Sequence, residues 1–271
     1  MRLVPQQNSA FNRRFAVELD DGAVVESVLY REHTLCVSCQ VGCVVGCPFC
    51  ASGRPGLLRN LRHDEMVEQV RRARDEAPGL RRVTISGVGE PLHNADVVGS
   101  FIRWCRDERL APSVTTSGGP TVKLRALFDL PHNGLTISVH AGTEGVRRRL
   151  VPRGPTLDAL CVTVADGVRE LSRSRRRRVS LAYLLLEGWN DGDEETAEFA
   201  RRAKQVGTSV YLYRLNRVPG GAFRPASELR YQEVYEAWRR AGLEVRRSSL
   251  ARVEDNGGCG TLLAFGASTG E

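Results

Sequence analysis

A chain of 271 residues with 41% hydrophobic and 26% charged content can bury a sizeable core without disulfide or metal staples, and its composition excludes a disordered or fibrous protein. No apolar run approaches the ~20 residues that span a bilayer, and MRLVPQQNSAFNRRF lacks the apolar stretch of a signal peptide, so a soluble cytoplasmic protein away from membranes is expected. The formal charge of +7 is almost all arginine, since only Lys123 and Lys204 are lysines; this points either to a polyanionic partner or to a genome rich in arginine codons.

Along the chain, RFAVEL and AVVESVLY flank Asp20-Asp21-Gly22 and read as a β-hairpin. TLCVSCQV is a further strand, running into the Gly-, Pro- and Cys-rich loop GCVVGCPFCASGRPG. Residues 64–75 carry Met66, Val67, Val70 and Ala73 at helical spacing, with Asp64 as the expected N-cap. Strand and helix then alternate. RRVTISGVG is followed by a helix over 95–107, PSVTTSGG by one over 121–129, and GLTISVH by one over 156–172. RVSLAYLLLEG precedes a helix from Asp193 to Gln205, SVYLYRLN one over 227–241, and LEVRRSSL is the last strand. About six βα units imply a parallel sheet with crossover helices, arranged as a partial (βα) barrel or a doubly wound open sheet.

In parallel α/β folds, ligands sit beyond the carboxyl ends of the strands. Here those ends read GVGEP, TTSGG, SVH and RLN, either ordinary turns or one shared site.

Cys36, Cys39, Cys43, Cys47 and Cys50 fall within fifteen residues. In a long chain without a secretion signal, reduced thiols that hold a metal or do chemistry are expected rather than disulfides. Cys43, Cys47 and Cys50 form a C-x3-C-x2-C run with Phe49 before the last thiol. Three thiolates suit an iron–sulfur cluster with one iron left open; a zinc site completed by Cys39 is the alternative. Cys105 and Cys161 lie in amphipathic helices and read as core.

TLCVSCQVGCVVGCPFCASG, LLRNL, SGVGEPLHN, TTSG, LTISVHA, the Val-Pro after Leu150, LLLEGWND, LNRVPG and GGCGTL follow one another from about Phe15 to the end. In content and order they resemble the RlmN/Cfr family of radical S-adenosylmethionine (SAM) RNA adenine methyltransferases. The three-cysteine run alone resembles only the wider radical SAM superfamily; the TLC and GCG blocks narrow it to the family.

The resemblance implies an α/β fold: a partial (βα)6 radical SAM barrel over 34–271, with a C-terminal catalytic-cysteine loop, behind a short N-terminal β-hairpin extension over 1–33. It implies a [4Fe-4S] cluster on Cys43, Cys47 and Cys50, and two S-adenosylmethionine molecules per turnover. Cys259 would take a methyl group by displacement, forming S-methylcysteine, a step suited to a thiolate. A second S-adenosylmethionine, cleaved reductively, would activate that methyl for attack on an adenine carbon, C2 or C8, of rRNA or tRNA. Cys36 would resolve the adduct through a transient disulfide with Cys259, and Glu26 of VVESV would be the proton acceptor. Gly89, Glu90, Ser117, Ser138, Val139, His140 and Asn216 match the SAM-contacting positions. Cys39 stands where the family usually has a serine and is not expected to be a ligand.

An RNA partner, an electron donor such as flavodoxin or ferredoxin, and a monomeric state follow from the same resemblance. Typical members carry a helical domain before the hairpin, and this chain is expected to be a short member without it. The arginine runs 147–149 and 175–178 are then expected either to grip phosphates or to be solvated surface. The same chemistry on a small molecule or natural product is the alternative function, and a non-enzymatic metal-containing RNA binder a third.

Overall fold

The computed structural model describes residues 1–216, 218, 220–254, 257 and 260–266. The chain opens with three antiparallel strands, β1 (Arg2–Asn8), β2 (Asn12–Glu18) and β3 (Val24–Tyr30). β4 (Thr34–Val37) pairs antiparallel with β3 and starts the parallel part of the sheet. β5 (Gln40–Gly42) and β6 (Leu57–Asn60) form a small sheet of their own.

The alternation follows: α1 (His63–Glu76), β7 (Arg82–Ile85), α2 (Ala95–Asp107), β8 (Ala111–Thr116), α3 (Thr121–Leu127), β9 (Gly134–Ser138), α4 (Glu144–Leu150), α5 (Leu157–Glu170), α6 (Arg173–Arg176), β10 (Val179–Leu185), α7 (Asp193–Val206), β11 (Ser209–Arg214), α8 (Glu228–Arg240), β12 (Val245–Arg247), α9 (Leu250–Val253) and β13 (Ala264–Phe265). The main sheet runs β1-β2-β3-β4-β7-β8-β9-β10-β11-β12, parallel from β4 onward. Among the described residues its edges, β1 and β12, do not pair, so the barrel is partial. The six expected βα units are all present.

Strand alternation sends one side of each parallel strand to the helices and the other into the barrel. Val83, Ile85, Val114, Leu135 and Ile137 face outward and share a buried core with Met66, Val70, Phe101, Ile102, Leu160 and Val164. Each such side chain contributes about 1.5–3 kcal/mol on burial. The inward positions are different. Thr84, Ser113, Thr115, Thr136 and Ser180 are small and polar where closed barrels carry bulky branched residues, so the interior stays hollow.

Three local expectations change. TLCVSCQV is two strands, because Ser38 leaves the ladder: its N–H donates to Gln69 Oε1 and its carbonyl accepts from Gln69 Nε2. Helix α1 begins at His63 with Arg62 as N-cap, and Glu65 accepts from the Arg62 N–H at 2.7 Å; Asp64 lies inside the first turn. β1, which pairs across β2, was not anticipated, nor were α4 and β13.

β13 matters most for the site. β4 covers β3 only from Val28 to Tyr30, and β13 takes the free stretch at Val24 and Val25. The C-terminal segment is thereby drawn to the face of the barrel that carries the cysteine loop.

Candidate active site

The cysteine loop leaves β5 through Gly42 at φ +83°, where a Cβ would strike the Gly56 carbonyl oxygen. Cys43 N–H donates to that same oxygen at 2.9 Å, and Cys50 N–H donates to Cys47 O at 3.0 Å. Arg153 Nη1 holds Val44 O at 2.6 Å from the loop after α4. These bonds turn Cys43, Cys47 and Cys50 onto one cavity, which Gly89, Glu90, Ser117, Ser138, His140 and Asn216 also line.

Burial pushes the Cys43 thiol up to about 12 and the Cys47 thiol well above its usual range. Such thiols bind protons tightly until a metal displaces them, and coordination deprotonates a thiol outright. Among the described residues no three Cys, His, Asp or Glu side chains converge closely enough to hold one metal ion. A cluster makes a looser demand, since each thiolate takes a separate iron. Ser117 Oγ is buried in this cavity wall with no partner among the described residues, an unsatisfied group that a polar ligand would complete. The donor set therefore fits an iron–sulfur cluster with a polar co-ligand beside it.

The strand ends are tied to one another. Gly89 sits at φ +112° against Gln40, where a Cβ would lie 2.7 Å from Gln40 Cβ. The next residue, Glu90, donates from its N–H to Gln40 Oε1 at 2.7 Å. Its carboxylate accepts from Leu92 N at 3.1 Å, from the Thr116 hydroxyl and from Ser117 N at 2.8 Å. A carboxylate offers about four acceptor positions, so about one remains for a ligand.

His140, buried at φ +56°, accepts from Leu184 N through Nδ1 at 3.0 Å. That bond places the ring proton on Nε2. Burial, aided by nearby Arg147, pushes its pKa down to about 3, so the ring is a neutral donor. Phe49 meets it edge-on at 5.5 Å. Asn216 donates to Arg252 O at 2.7 Å. Val139 differs from its neighbours: its side chain belongs to the core and it is not among the residues that line the cavity, while its carbonyl accepts from Arg147 at 2.8 Å.

Arg147 is 1% exposed. It donates to the carbonyls of Ser138 (2.7 Å), Val139 and Ser117 (2.7 Å). The expectation that it meets phosphate is corrected: it is an internal clamp. Arg175 and Arg176 are likewise spent on backbone carbonyls, at Phe128, Leu130, Leu171 and Arg169. Sequence reading missed Arg147 because Glu144–Leu150 presents it among two exposed arginines.

Cys36 pairs with Val28 on one side and Thr84 on the other, so it shares their inward face. Its Sγ lies 3.3 Å from Ser86 Oγ, and Ser86 lines the cavity. Ser86 was not singled out in the sequence, although period-two alternation from Thr84 aims it inward. Glu26 occupies the same face of β3, two residues before Val28. Its carboxylate is ion-paired with Arg14 and accepts from Leu263 N–H.

Cys259 lies outside the described residues. Gly257 and Gly260, near it in the chain, are described: Tyr30 OH donates to Gly257 O at 2.6 Å, and Gly260 O accepts from Ala51 N at 2.8 Å. Gly260 also lines the cavity. None of the seven cysteines among the described residues is in a disulfide, and Cys39 and Cys105 are buried and Cys161 half-buried.

Residues 37–200 match the Radical SAM superfamily. The chain is 30% identical over 257 residues to a probable dual-specificity RNA methyltransferase RlmN from Alkaliphilus metalliredigens, covering 90% of this chain and 72% of that protein. This chain belongs to the radical SAM superfamily, in the family of RlmN-like methyltransferases. A probable RNA methyltransferase from Thiobacillus denitrificans is 35% identical over 268 residues, covering 93% of this chain and 70% of the relative. The crystal structure of a radical SAM methyltransferase from Sphaerobacter thermophilus matches with a TM-score of 0.83 and 32% identity, covering 96% of this chain and 81% of that one. The protein is thus a radical SAM methyltransferase, and the superfamily implies a [4Fe-4S] cluster and S-adenosylmethionine as cofactors. No helix among the described residues is long and apolar enough to cross a membrane.

Proposed function

We propose that this protein methylates an adenine carbon, C2 or C8, of ribosomal or transfer RNA through a methylated Cys259. One observation carries the reading. Cys36 faces the barrel interior and contacts Ser86, on the wall of the cavity that also holds Cys43, Cys47, Cys50 and Gly260, the neighbour of Cys259. A SAM enzyme without a cysteine relay needs no thiol there.

Cys43, Cys47 and Cys50 would hold the cluster, with Gly89, Glu90, Ser117, Ser138, Val139, His140 and Asn216 around the S-adenosylmethionine. The cluster, when bound, supplies the electron that cleaves one S-adenosylmethionine, received from a flavodoxin or ferredoxin. Cys259 displaces a methyl group from another, forming an S–CH3 bond and releasing S-adenosylhomocysteine. Glu26 accepts the proton lost from the adenine carbon that gains the methyl. Loss of a hydrogen atom from the S-methyl group to the fragment of the cleaved S-adenosylmethionine would let that carbon bond the adenine carbon, which gives up one electron to the iron–sulfur centre along with its proton. Cys36, as thiolate, then attacks the Cys259 sulfur, an S–S bond forms as the sulfur–carbon bond breaks, and the released carbon takes up a proton to become the methyl group. Residues 1–33 act as an extension that anchors the Cys259 segment through Glu26 and Tyr30. The protein acts as a monomer in the cytoplasm, where thiols stay reduced.

The test is mass spectrometry of protein made in cells. The peptide containing Cys259 gains one methyl group, and Cys259→Ala loses both the methyl and the product. Cys36→Ala stalls as a covalent protein–RNA adduct resistant to denaturation. A stalled adduct of small-molecule mass replaces RNA with a metabolite as substrate. Normal turnover by Cys36→Ala overturns the relay.

A further inference from the structure

The hollow barrel has a second chamber, of about 710 Å3, at the amino ends of the parallel strands. That volume lies in the range of small-molecule sites. Its walls are the hydroxyls of Thr84, Ser113, Thr136 and Ser180, with the rings of Tyr211 and Tyr213 from β11. The two rings are parallel within 10°, with centroids 5.6 Å apart. Thr115, Tyr213, Ser248 and Arg252 line both this chamber and the cysteine cavity, so the two adjoin inside the barrel.

Charge gives the chamber its chemistry. Arg31, Arg82, Arg177, Arg178, Arg246 and Arg247 surround it, and among the described residues no Asp or Glu is in its lining. Arg246 is paired with Glu244, and Arg247 is spread over the Tyr235 ring at 3.7 Å. Arg82, Arg177 and Arg178 are exposed and make no side-chain hydrogen bond or ion pair with a described residue. Arginines without counter-charges around hydroxyls and aromatic faces are suited to phosphate and a stacked base together. The arginine run at 175–178 is thus divided: its first half caps backbone and its second half faces this chamber.

We propose that the chamber is a nucleotide-binding site, taking phosphate on Arg82, Arg177 and Arg178 and a base beside Tyr211. It stands at the opposite end of the strands from the cysteine cavity and does not depend on the methyl-transfer reading. The nucleotide is either free or part of an RNA strand, and the two probes below separate these sources.

Anaerobically reconstituted protein is titrated with adenosine 5′-monophosphate and with a fluorescein-labelled single-stranded oligoribonucleotide of mixed sequence. The triple variant Arg82→Gln/Arg177→Gln/Arg178→Gln is compared with Arg71→Gln/Arg103→Gln/Arg240→Gln, which removes the same charge from exposed helix positions. The chamber variant loses at least about tenfold in affinity, and for the oligonucleotide the salt dependence of binding flattens by two to three phosphate contacts, about one per arginine. The control variant binds as the parent does, and both variants still cleave S-adenosylmethionine. Binding of the mononucleotide identifies a free nucleotide as ligand; binding of the oligonucleotide alone identifies a strand. The inference is overturned if the parent binds neither probe, if the chamber variant binds like the parent, or if the control weakens equally.

Discussion

Arg147 Nη2 donates to the carbonyl oxygen of Ser117 at 2.7 Å, joining helix α4 to the residue that follows strand β8. With its bonds to Ser138 and Val139, this one guanidinium sets the spacing of the β8 and β9 ends beside the thiols. Among the described residues it has no carboxylate partner in an ion pair, and burial lowers its pKa to about 10, so it remains a buried cation at neutral pH.

Replacing Arg147 by Met therefore strands three inward carbonyls, each costing about 1–3 kcal/mol when unsatisfied, against recovery of the arginine's own desolvation. The expected net loss is about 2–4 kcal/mol, read as a lower urea midpoint, together with weaker S-adenosylmethionine binding. Arg147→Lys recovers little, because an ammonium cannot reach three carbonyls in one plane. Unchanged stability in Arg147→Met would show that the clamp is dispensable.

Ser117→Ala separates ligand binding from folding. The hydroxyl has no partner among the described residues, while its backbone bonds to Glu90 and Arg147 survive the change. Stability stays within about 0.5 kcal/mol, and S-adenosylmethionine affinity drops about fivefold, the value of one ordinary hydrogen bond. Equilibrium dialysis against labelled S-adenosylmethionine measures it. A destabilised fold with intact affinity would contradict the assignment.

His132 predicts how stability depends on pH. It is 4% exposed, neither ring nitrogen has a partner among the described residues, and burial with Arg175 and Arg178 nearby lowers its pKa to about 4. Below its ordinary pKa of 6.5 the unfolded chain takes up a proton that the folded chain refuses until about 4. Stability therefore falls as pH drops through that window, on the order of 3 kcal/mol from this residue. His132→Phe removes that dependence, so its urea midpoints at pH 4.5 and 7 lie closer together than the parent's. Parallel curves would assign the acid sensitivity to other groups.

The alternation of strands and helices was legible because each outward strand face is continuous and apolar, as in Val83–Ile85 and Leu135–Ile137. The cavity-lining residues were legible as polar ends of apolar runs. What escaped was set by long-range pairing. Nothing local marks Ala264–Phe265 as a strand, since its partner is Val24–Val25. Arg147 looked like surface because its neighbours Arg148 and Arg149 are surface, and only the fold turns one of the three inward. Ser38 ended a strand early because Gln69, a helix residue, competes for its backbone.

The seating of the last described segment also has a temporal consequence. Leu263 bonds to Glu26, Leu262 O accepts from Ser52 and Gly260 O accepts from Ala51, across gaps of more than two hundred residues. Closing loops of that length is slow compared with local pairing, and a chain leaving the ribosome folds from its amino end. The strands and the cysteine loop can therefore assemble while the Cys259 segment is still unsynthesised. For that interval the loop lacks its partners at Ala51 and Ser52, while its bonds to Gly56 and Arg153 are already in place, so the far end of the loop is the last part of the site to be fixed.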